Sequence, residues 1–512
     1  MPDNIAALDD YRALQAQEAA ERKPKHSDRL IAIAQRAHLF HTSERTAYAD
    51  VRVNGHRETW PVGSKVFREW LTHEFFKEES TAPSRKVMDE ALGVIEARAR
   101  FESPEREAHL RVARVDDKIY LDLCDDAWRA VEVDKSGWRV VSEPEARFRR
   151  APGMLALPAP EPGGDIDELR PFLNLPQKTQ GREMSEFVLT VAWLLGALSG
   201  RGPYPVIVIA GQHGAAKTFF GRVLRALIDP NKVDLRALPR HDHDLYVAGG
   251  NAHVLAFDNI STVPNWLSDT LCRISTGGGF ATRRLYTDAD EKLFDGMRPL
   301  MLNGIEDFVT RPDLDDRTIA LVLEDIPDDK RCPEAELWAD FEKVRPRVLG
   351  ALLDAASHGL SEIATTRLKE LPRMADFALW VVACEVWTPK VFIDAYTENR
   401  RSGQIALLDA HAVATAVLNF ATALEPQDDK PLWEGKAAAL LDELGRRVTD
   451  EVRRDREQWP KTARGLSGKL RRITKPLKEA GVVVGFGKKN TIFINRTTVT
   501  ASAGGRENAP ET

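Results

Sequence analysis

Lys217 and Thr218 close the run Gly211-Gln212-His213-Gly214-Ala215-Ala216-Lys217-Thr218, which follows the apolar stretch 205–210 and leads into a helical pattern. Residues of these types in this order do phosphate chemistry. A strand ending in small residues lets backbone N–H groups wrap an anion. The lysine brings a point charge to the outer phosphates, and the threonine hydroxyl becomes a Mg²⁺ ligand at the positive end of a helix. The expected ligands of residues 211–218 are therefore ATP and Mg²⁺. Ala216 stands where the strict pattern has a second glycine. An alanine there is comfortable at helical φ and strained at positive φ.

Two more strand ends carry matching groups. Residues 254–259 read as a buried parallel strand ending in Asp258, an acid suited to hold the Mg²⁺ shell. Residues 299–304 form an apolar strand ending at Asn303, whose amide would orient a water near the terminal phosphate. Arg311 and Arg317 follow, and then the apolar run 319–323. The competing reading is a parallel α/β domain whose strand ends are merely polar. The phosphate reading is staked on the loop strand and the Asp258 strand being neighbours, and non-adjacent strands would count against it. Asn259 occupies the place of a second acid, and an amide takes no proton at neutral pH. That leaves Asp242 or Asp244 as the base, or a slow turnover. His241 and His243, without a third ligand nearby, read as a polar loop rather than a metal site.

Composition narrows the class. The chain has 512 residues, 43% hydrophobic and 29% charged, which fits two to four globular domains. No run approaches the roughly 18 apolar residues of a membrane span. The N-terminus lacks a basic-then-apolar signal, so the expected location is cytoplasmic. Four dispersed cysteines, 124, 272, 332 and 384, form no C-x-x-C pair and are expected to be reduced thiols. A formal charge of −6 excludes a wholly basic coat for nucleic acid but leaves room for local patches.

Such a patch lies between Lys461 and Arg496, with ten Lys or Arg against one acid, Glu479. A helical stretch at 435–448 is followed by an amphipathic helix at 466–480, with Leu466, Leu470, Ile473 and Leu477 on its apolar side and Lys469, Arg472 and Lys475 opposite. Pro476 would kink or shorten it. Strands at 482–484 and 491–494 flank a turn containing Lys488 and Lys489. This pattern predicts a winged helix-turn-helix, with its second helix in a DNA groove and the wing on phosphates. Protein docking or a structural role is the alternative.

The predicted organisation is a charged helical arm (1–28), a small α+β domain (29–151), a Pro/Gly-rich linker (152–170), an α/β core with a parallel sheet (171–330), a helical lid or collar (331–430), the winged helix (431–498) and a tail (499–512). Within the first domain, Asn54-Gly55 marks a tight hairpin, 84–99 a helix, and 110–115, 119–123, 130–133 and 138–141 short strands.

Between the Asp258 and Asn303 strands, the glycines 277–279 precede the basic–aromatic step Arg283-Arg284-Leu285-Tyr286. With this hairpin included, residues 209–323 resemble the ATPase of superfamily 3 helicases, of the virus and phage/plasmid primase–helicase type found on mobile elements. The resemblance implies an AAA+-like P-loop fold in a DNA helicase or replication initiator that hydrolyses ATP. It also implies Lys217 and Thr218 on phosphate and metal, Asp258 on the Mg²⁺ shell, Asn303 as sensor, and Arg283 and Arg284 on single-stranded DNA in a channel. Arg317, with Arg311 as second choice, would be an arginine finger reaching a neighbouring subunit of a ring, expected to be a hexamer. The other reading of Arg317 is an ion pair with Asp313, Asp315 or Asp316. A further alternative for the whole chain is an ATP-dependent regulatory or remodelling protein that docks on DNA without unwinding it.

Overall fold

The computed structural model describes residues 25–176, 180–278, 280–283, 291–294, 296–305, 308–387, 391–409, 411–425, 431–455, 459–487 and 491–496. Arg284, Lys488 and Lys489 lie outside the described residues, as do the side chains of Arg283 and Lys475. The chain divides into two units. The first holds the residues up to Ala159, with Asp229–Lys232 and Asn251–His253; the second holds the remainder.

In the first unit, α1 (His26–Ala34), β1 (His38–His41), β2 (Ala47–Val53), β3 (His56–Pro61), α2 (Lys65–Glu79) and α3 (Arg85–Phe101) precede β4 (Val112–Val115), β5 (Lys118–Asp122), β6 (Ala130–Asp134) and β7 (Gly137–Val141). The strands make two antiparallel sheets, β1-β2-β3 and β4-β5-β6-β7. Asn54 and Gly55 turn β2 into β3 with φ of 48° and 87°, the paired positive values that a two-residue hairpin demands. Helix α2 went unread in the sequence because its buried stripe is one residue wide: Phe67, Leu71 and Phe75. These pack with Met88, Leu92 and Ile95 of α3. Arg111 and Asp229, both fully buried, pair at 3.0 Å. The other guanidinium nitrogens of Arg111 donate to the carbonyls of Asp122, Leu155 and Pro230, and the second Asp229 oxygen accepts from His253 N. A buried pair satisfied this fully binds short segments from 229–232 and 251–253 into the unit.

The second unit is built on a parallel sheet. Its first elements are α4 (Gln180–Leu198), β8 (Val206–Ala210), α5 (Lys217–Ile228), α6 (Asp242–Gly249), β9 (Leu255–Ile260) and α7 (Asn265–Thr276). Next come β10 (Phe280–Arg283), β11 (Glu291–Phe294), β12 (Leu300–Gly304), α8 (Pro312–Asp315) and β13 (Thr318–Val322). The order is β9-β12-β8-β13, every pairing parallel. All five residues of β8 and of β12 are buried, as strands covered on both faces require. The expectation that the loop strand and the Asp258 strand are neighbours is wrong: β12 lies between β8 and β9. Strands β10 and β11 form a separate antiparallel pair.

The predicted helical region comprises α9 (Glu334–Glu362), α10 (Ala375–Ala383), α11 (Phe392–Asp409) and α12 (Ala412–Ala423). The Pro/Gly-rich stretch is held along its length: Leu155 N donates to Pro230 O and Leu157 N to Leu123 O within the first unit. A 3₁₀ turn at Ile166–Phe172 begins with a capping box of Asp165 and Glu168. Glu161 N donates to Pro346 O, and a Cβ on Gly350 would meet Glu161 O at 1.9 Å, so only glycine lets that backbone lie against α9.

The C-terminal part has β14 (Trp433–Lys436), α13 (Ala437–Gly445), α14 (Asp450–Arg454), α15 (Ala463–Glu479), β15 (Val482–Phe486) and β16 (Thr491–Arg496). The antiparallel sheet order is β14-β16-β15. Helix α15 runs through Pro476 to Glu479, so the proline neither shortens it nor removes its apolar side, where Leu466, Leu470, Ile473 and Leu477 are all buried. Strand β14 was not anticipated; its residues Trp433-Glu434-Gly435-Lys436 carry no β-branched run.

Candidate functional site

The loop 211–218 joins β8 to α5 and turns through left-handed backbone. Gly211 has φ +154°, Gly214 +92° and Ala216 +55°. A Cβ on Gly211 would meet Leu323 O at 2.8 Å, so glycine is required there by both conformation and space. Ala216 takes the strained alternative, at a cost of about 1–2 kcal/mol for an L residue.

The Lys217 ammonium donates to the loop's own carbonyls, Gly211 O at 2.8 Å and Gln212 O at 2.7 Å. Burial pulls its pKa below the usual lysine value, while Asp258 and Asp325 pull it back. Thr218 Oγ1 donates to Asp258 Oδ2 at 2.9 Å, and Asp258 Oδ1 accepts from Asn259 N at 2.8 Å. Two strand spacings, about 10 Å, separate the tips of β8 and β9, yet the two residues meet. The reason is a β-bulge. Phe257 pairs with Leu302 and Ile260 with Gly304, so Asp258 and Asn259 together stand opposite Asn303. Asn259 takes φ +59°. A bulge re-aims side chains at a sheet edge, and here Asp258 comes to face the first turn of α5.

Asn303 is fully buried between the sheet and α5. Its Nδ2 donates to Lys217 O at 3.1 Å, while Oδ1 has no partner among the described residues. A Cβ on Gly221 would sit 2.8 Å from this amide. The side chain therefore holds the first turn of α5.

Three neighbours escaped the sequence reading. Asn174 Nδ2 donates to Ala215 O at 3.0 Å and Glu324 O at 2.7 Å, tying the loop to the chain after β13. On that segment, Asp325 acts on Lys217. Arg331 Nη2 lies 3.5 Å from where a Cβ of Gly214 would be, with Nη1 on exposed Asp328 at 3.0 Å. No spacing in the sequence announces them, because each acts from a loop far away in the chain.

The other predicted residues are held elsewhere. Arg317 pairs with Asp313 at 2.8 Å, its side chain 13% exposed. Arg373 bridges Asp313 and Asp316, and Arg400 also pairs with Asp316. The Arg317 hydrogen bond is the main cause that holds the Asp313 carboxyl below its ordinary value. Arg311 pairs with Asp269 at 2.8 Å. Asp242 accepts from Thr270 Oγ1 at 3.2 Å, and Asp244 is exposed on the same turn. On α15, Arg472 is exposed, but Lys469 is half-buried; burial lowers its pKa, with Asp455 opposing and Arg472 adding to the fall. The exposed face of α15 also carries Arg464 and Arg471, whose guanidinium lies 4.1 Å from the Phe486 ring centroid.

These features define a mixed α/β unit with a parallel sheet whose strand–loop–helix turn faces a carboxylate. Residues 175–401 match the family model described as the actinomycete integrative conjugative element replication protein. Residues 413–507 match the AICE RepA C-terminal domain. No curated protein is a match. Among solved structures, the chain is similar to the apo NrS-1 C-terminal region, at 10% identity and TM-score 0.41, over 91% of this chain and 98% of that one. It is also similar to JCV Helicase with a substituted N-phenylacetamide compound bound, at 10% identity and TM-score 0.21, over 43% of this chain and 66% of that one. Among the described residues, no helix is long and apolar enough to cross a membrane.

Proposed function

We propose that this chain is an ATP-hydrolysing replication protein, of the superfamily 3 helicase or initiator type, for an integrated conjugative element. The observation that carries the reading is the Thr218–Asp258 hydrogen bond at the mouth of a loop rich in left-handed backbone. The residues fit ATP and Mg²⁺. Thr218 and Asp258 offer the hard oxygen donors that Mg²⁺ prefers, and glycines at 211 and 214 keep side chains away from an approaching triphosphate. When bound, Mg²⁺ would neutralise charge on the phosphates.

Lys217 would exchange two neutral carbonyls for a phosphate oxygen, a stronger charge-assisted bond. Arg331 would add a second cation over Gly214. Asn303 would keep the first turn of α5, and so Lys217 and Thr218, in place. Arg317 would act on the nucleotide of a neighbouring subunit in a hexameric ring, after release from Asp313. The 280–294 hairpin, with Arg283 and Arg284, would contact single-stranded DNA. The C-terminal β14–β16 region would serve as a winged helix, with Arg472, Lys469, Lys475, Lys488 and Lys489 toward duplex DNA.

The test is phosphate release with and without single-stranded DNA, beside strand separation and native mass. The reading expects stimulation by single strands, unwinding and a multi-subunit mass. The exposed amide of Asn259 beside Asp258 favours one other reading, an ATP-dependent switch that docks on DNA. That predicts nucleotide binding with slow turnover and no unwinding.

A further inference from the structure

The first unit holds a cavity of about 490 Å³, within the roughly 300–1,000 Å³ range of small-ligand sites. Ile31 and Ala34 of α1 and Ile95 of α3 give it an apolar wall. Arg98, Arg106 and Arg147 also line it, and among the described residues none that lines it is acidic. The three arginines differ in how far they are neutralised. Arg147 Nε is 2.9 Å from Asp50, a nearly buried carboxylate that also accepts from Thr59 Oγ1. Arg98 Nε is 3.1 Å from Glu102, which is exposed at the surface, where such a pair is weak. Arg106 is anchored by its own amide, which donates to His41 O. Its exposed guanidinium has no side-chain partner among the described residues.

We infer that this cavity binds a nucleotide unit, with its phosphate on Arg106 and Arg98 and its base on the Ile31–Ala34–Ile95 wall. Guanidinium forks match phosphate oxygens in geometry and charge. A cation already at the rim, without a carboxylate to surrender, loses little on binding one. The apolar wall selects an anion that also carries a flat, weakly hydrated body, which inorganic phosphate lacks. The same chemistry is offered by a free mononucleotide and by the 5′-terminal nucleotide of a DNA strand. The site is independent of the 211–218 loop and does not rest on the ATPase reading.

The experiment uses the full chain carrying Lys217→Ala, so that any binding at the loop is suppressed. Thymidine monophosphate is titrated, together with a 3′-labelled single-stranded oligonucleotide bearing either a 5′-phosphate or a 5′-hydroxyl. Arg106→Ala is expected to leave the melting temperature unchanged, since the side chain holds nothing in the fold. It is expected to weaken one ligand at least about tenfold, the size of a lost charge-assisted bond. Loss of thymidine monophosphate affinity identifies the free nucleotide. Loss only of the preference for a 5′-phosphate identifies the strand end. If Arg106→Ala changes neither affinity, and Arg98→Ala changes neither as well, the inference is wrong.

Discussion

Lys217, expected on phosphate from its own loop, and Arg317, given a nucleotide role by the family resemblance, are held by the fold in opposite ways. Lys217 rests on two neutral carbonyls of its own loop. Arg317 is paired with a carboxylate that Arg373 also shares. A phosphate outcompetes a carbonyl for an ammonium, but must displace a full charge to win a guanidinium from Asp313. The first cation can therefore exchange its partners cheaply, whereas the second needs a rearrangement of its network.

Several changes would break or sharpen this contrast. Lys217→Ala should lower ATP turnover to background in a phosphate-release assay; normal turnover in that variant would end the loop assignment. Arg317→Ala should reduce kcat on the order of 10³-fold with ATP binding retained, the lower end for an arginine acting across subunits. If only the melting temperature falls, Arg317 is an ion pair and nothing more.

Asp315, in the same network, is pushed up to about 7 from 3.8, by burial first and Asp316 next, against Arg400. The folded state then binds the extra proton between about pH 4 and 7, and stability falls as pH rises through that window. Asp315→Asn should flatten this slope and stabilise the protein at pH 8 on the order of 2–4 kcal/mol, read by urea unfolding at pH 5 and pH 8. Asn174→Ala removes both bonds that tie the loop to the segment after β13. It should raise KM for ATP about tenfold with a smaller change in kcat, at about 1–2 kcal/mol for two hydrogen bonds. The smallest effect belongs to Ala216→Gly. Relief of left-handed strain is offset by glycine's freedom when unfolded, for a net gain of at most about 1 kcal/mol by denaturant melts.

What could be read in advance depended on whether the signal was local. The Asn54-Gly55 hairpin, helix α3 and the apolar strands β8 and β12 announce themselves through neighbouring residues, since turn chemistry and continuous burial act over a few positions. The loop 211–218 was readable for the same reason. The strand order was not. Adjacency of β8 and β9 was assumed, and the structure puts β12 between them. Nothing in either strand's side chains names its neighbour, because ladder bonds use backbone groups common to all residues. The burial of Lys469, whose position on the helix marked it for the exposed face, follows from packing that helical periodicity cannot foresee.

Residue order by itself determined the inventory: small residues, lysine and threonine at one strand end, an acid and an amide at two others, and a basic stretch near the C-terminus. Backbone spacing and side-chain chemistry are enough for that. The tertiary structure decided who meets whom. The bulge at Asp258 and Asn259 carries a carboxylate past an intervening strand to Thr218, and a segment more than a hundred residues downstream supplies Arg331 to Gly214. Such encounters depend on how sheets register and loops close, which are properties of the whole packed chain rather than of any run within it.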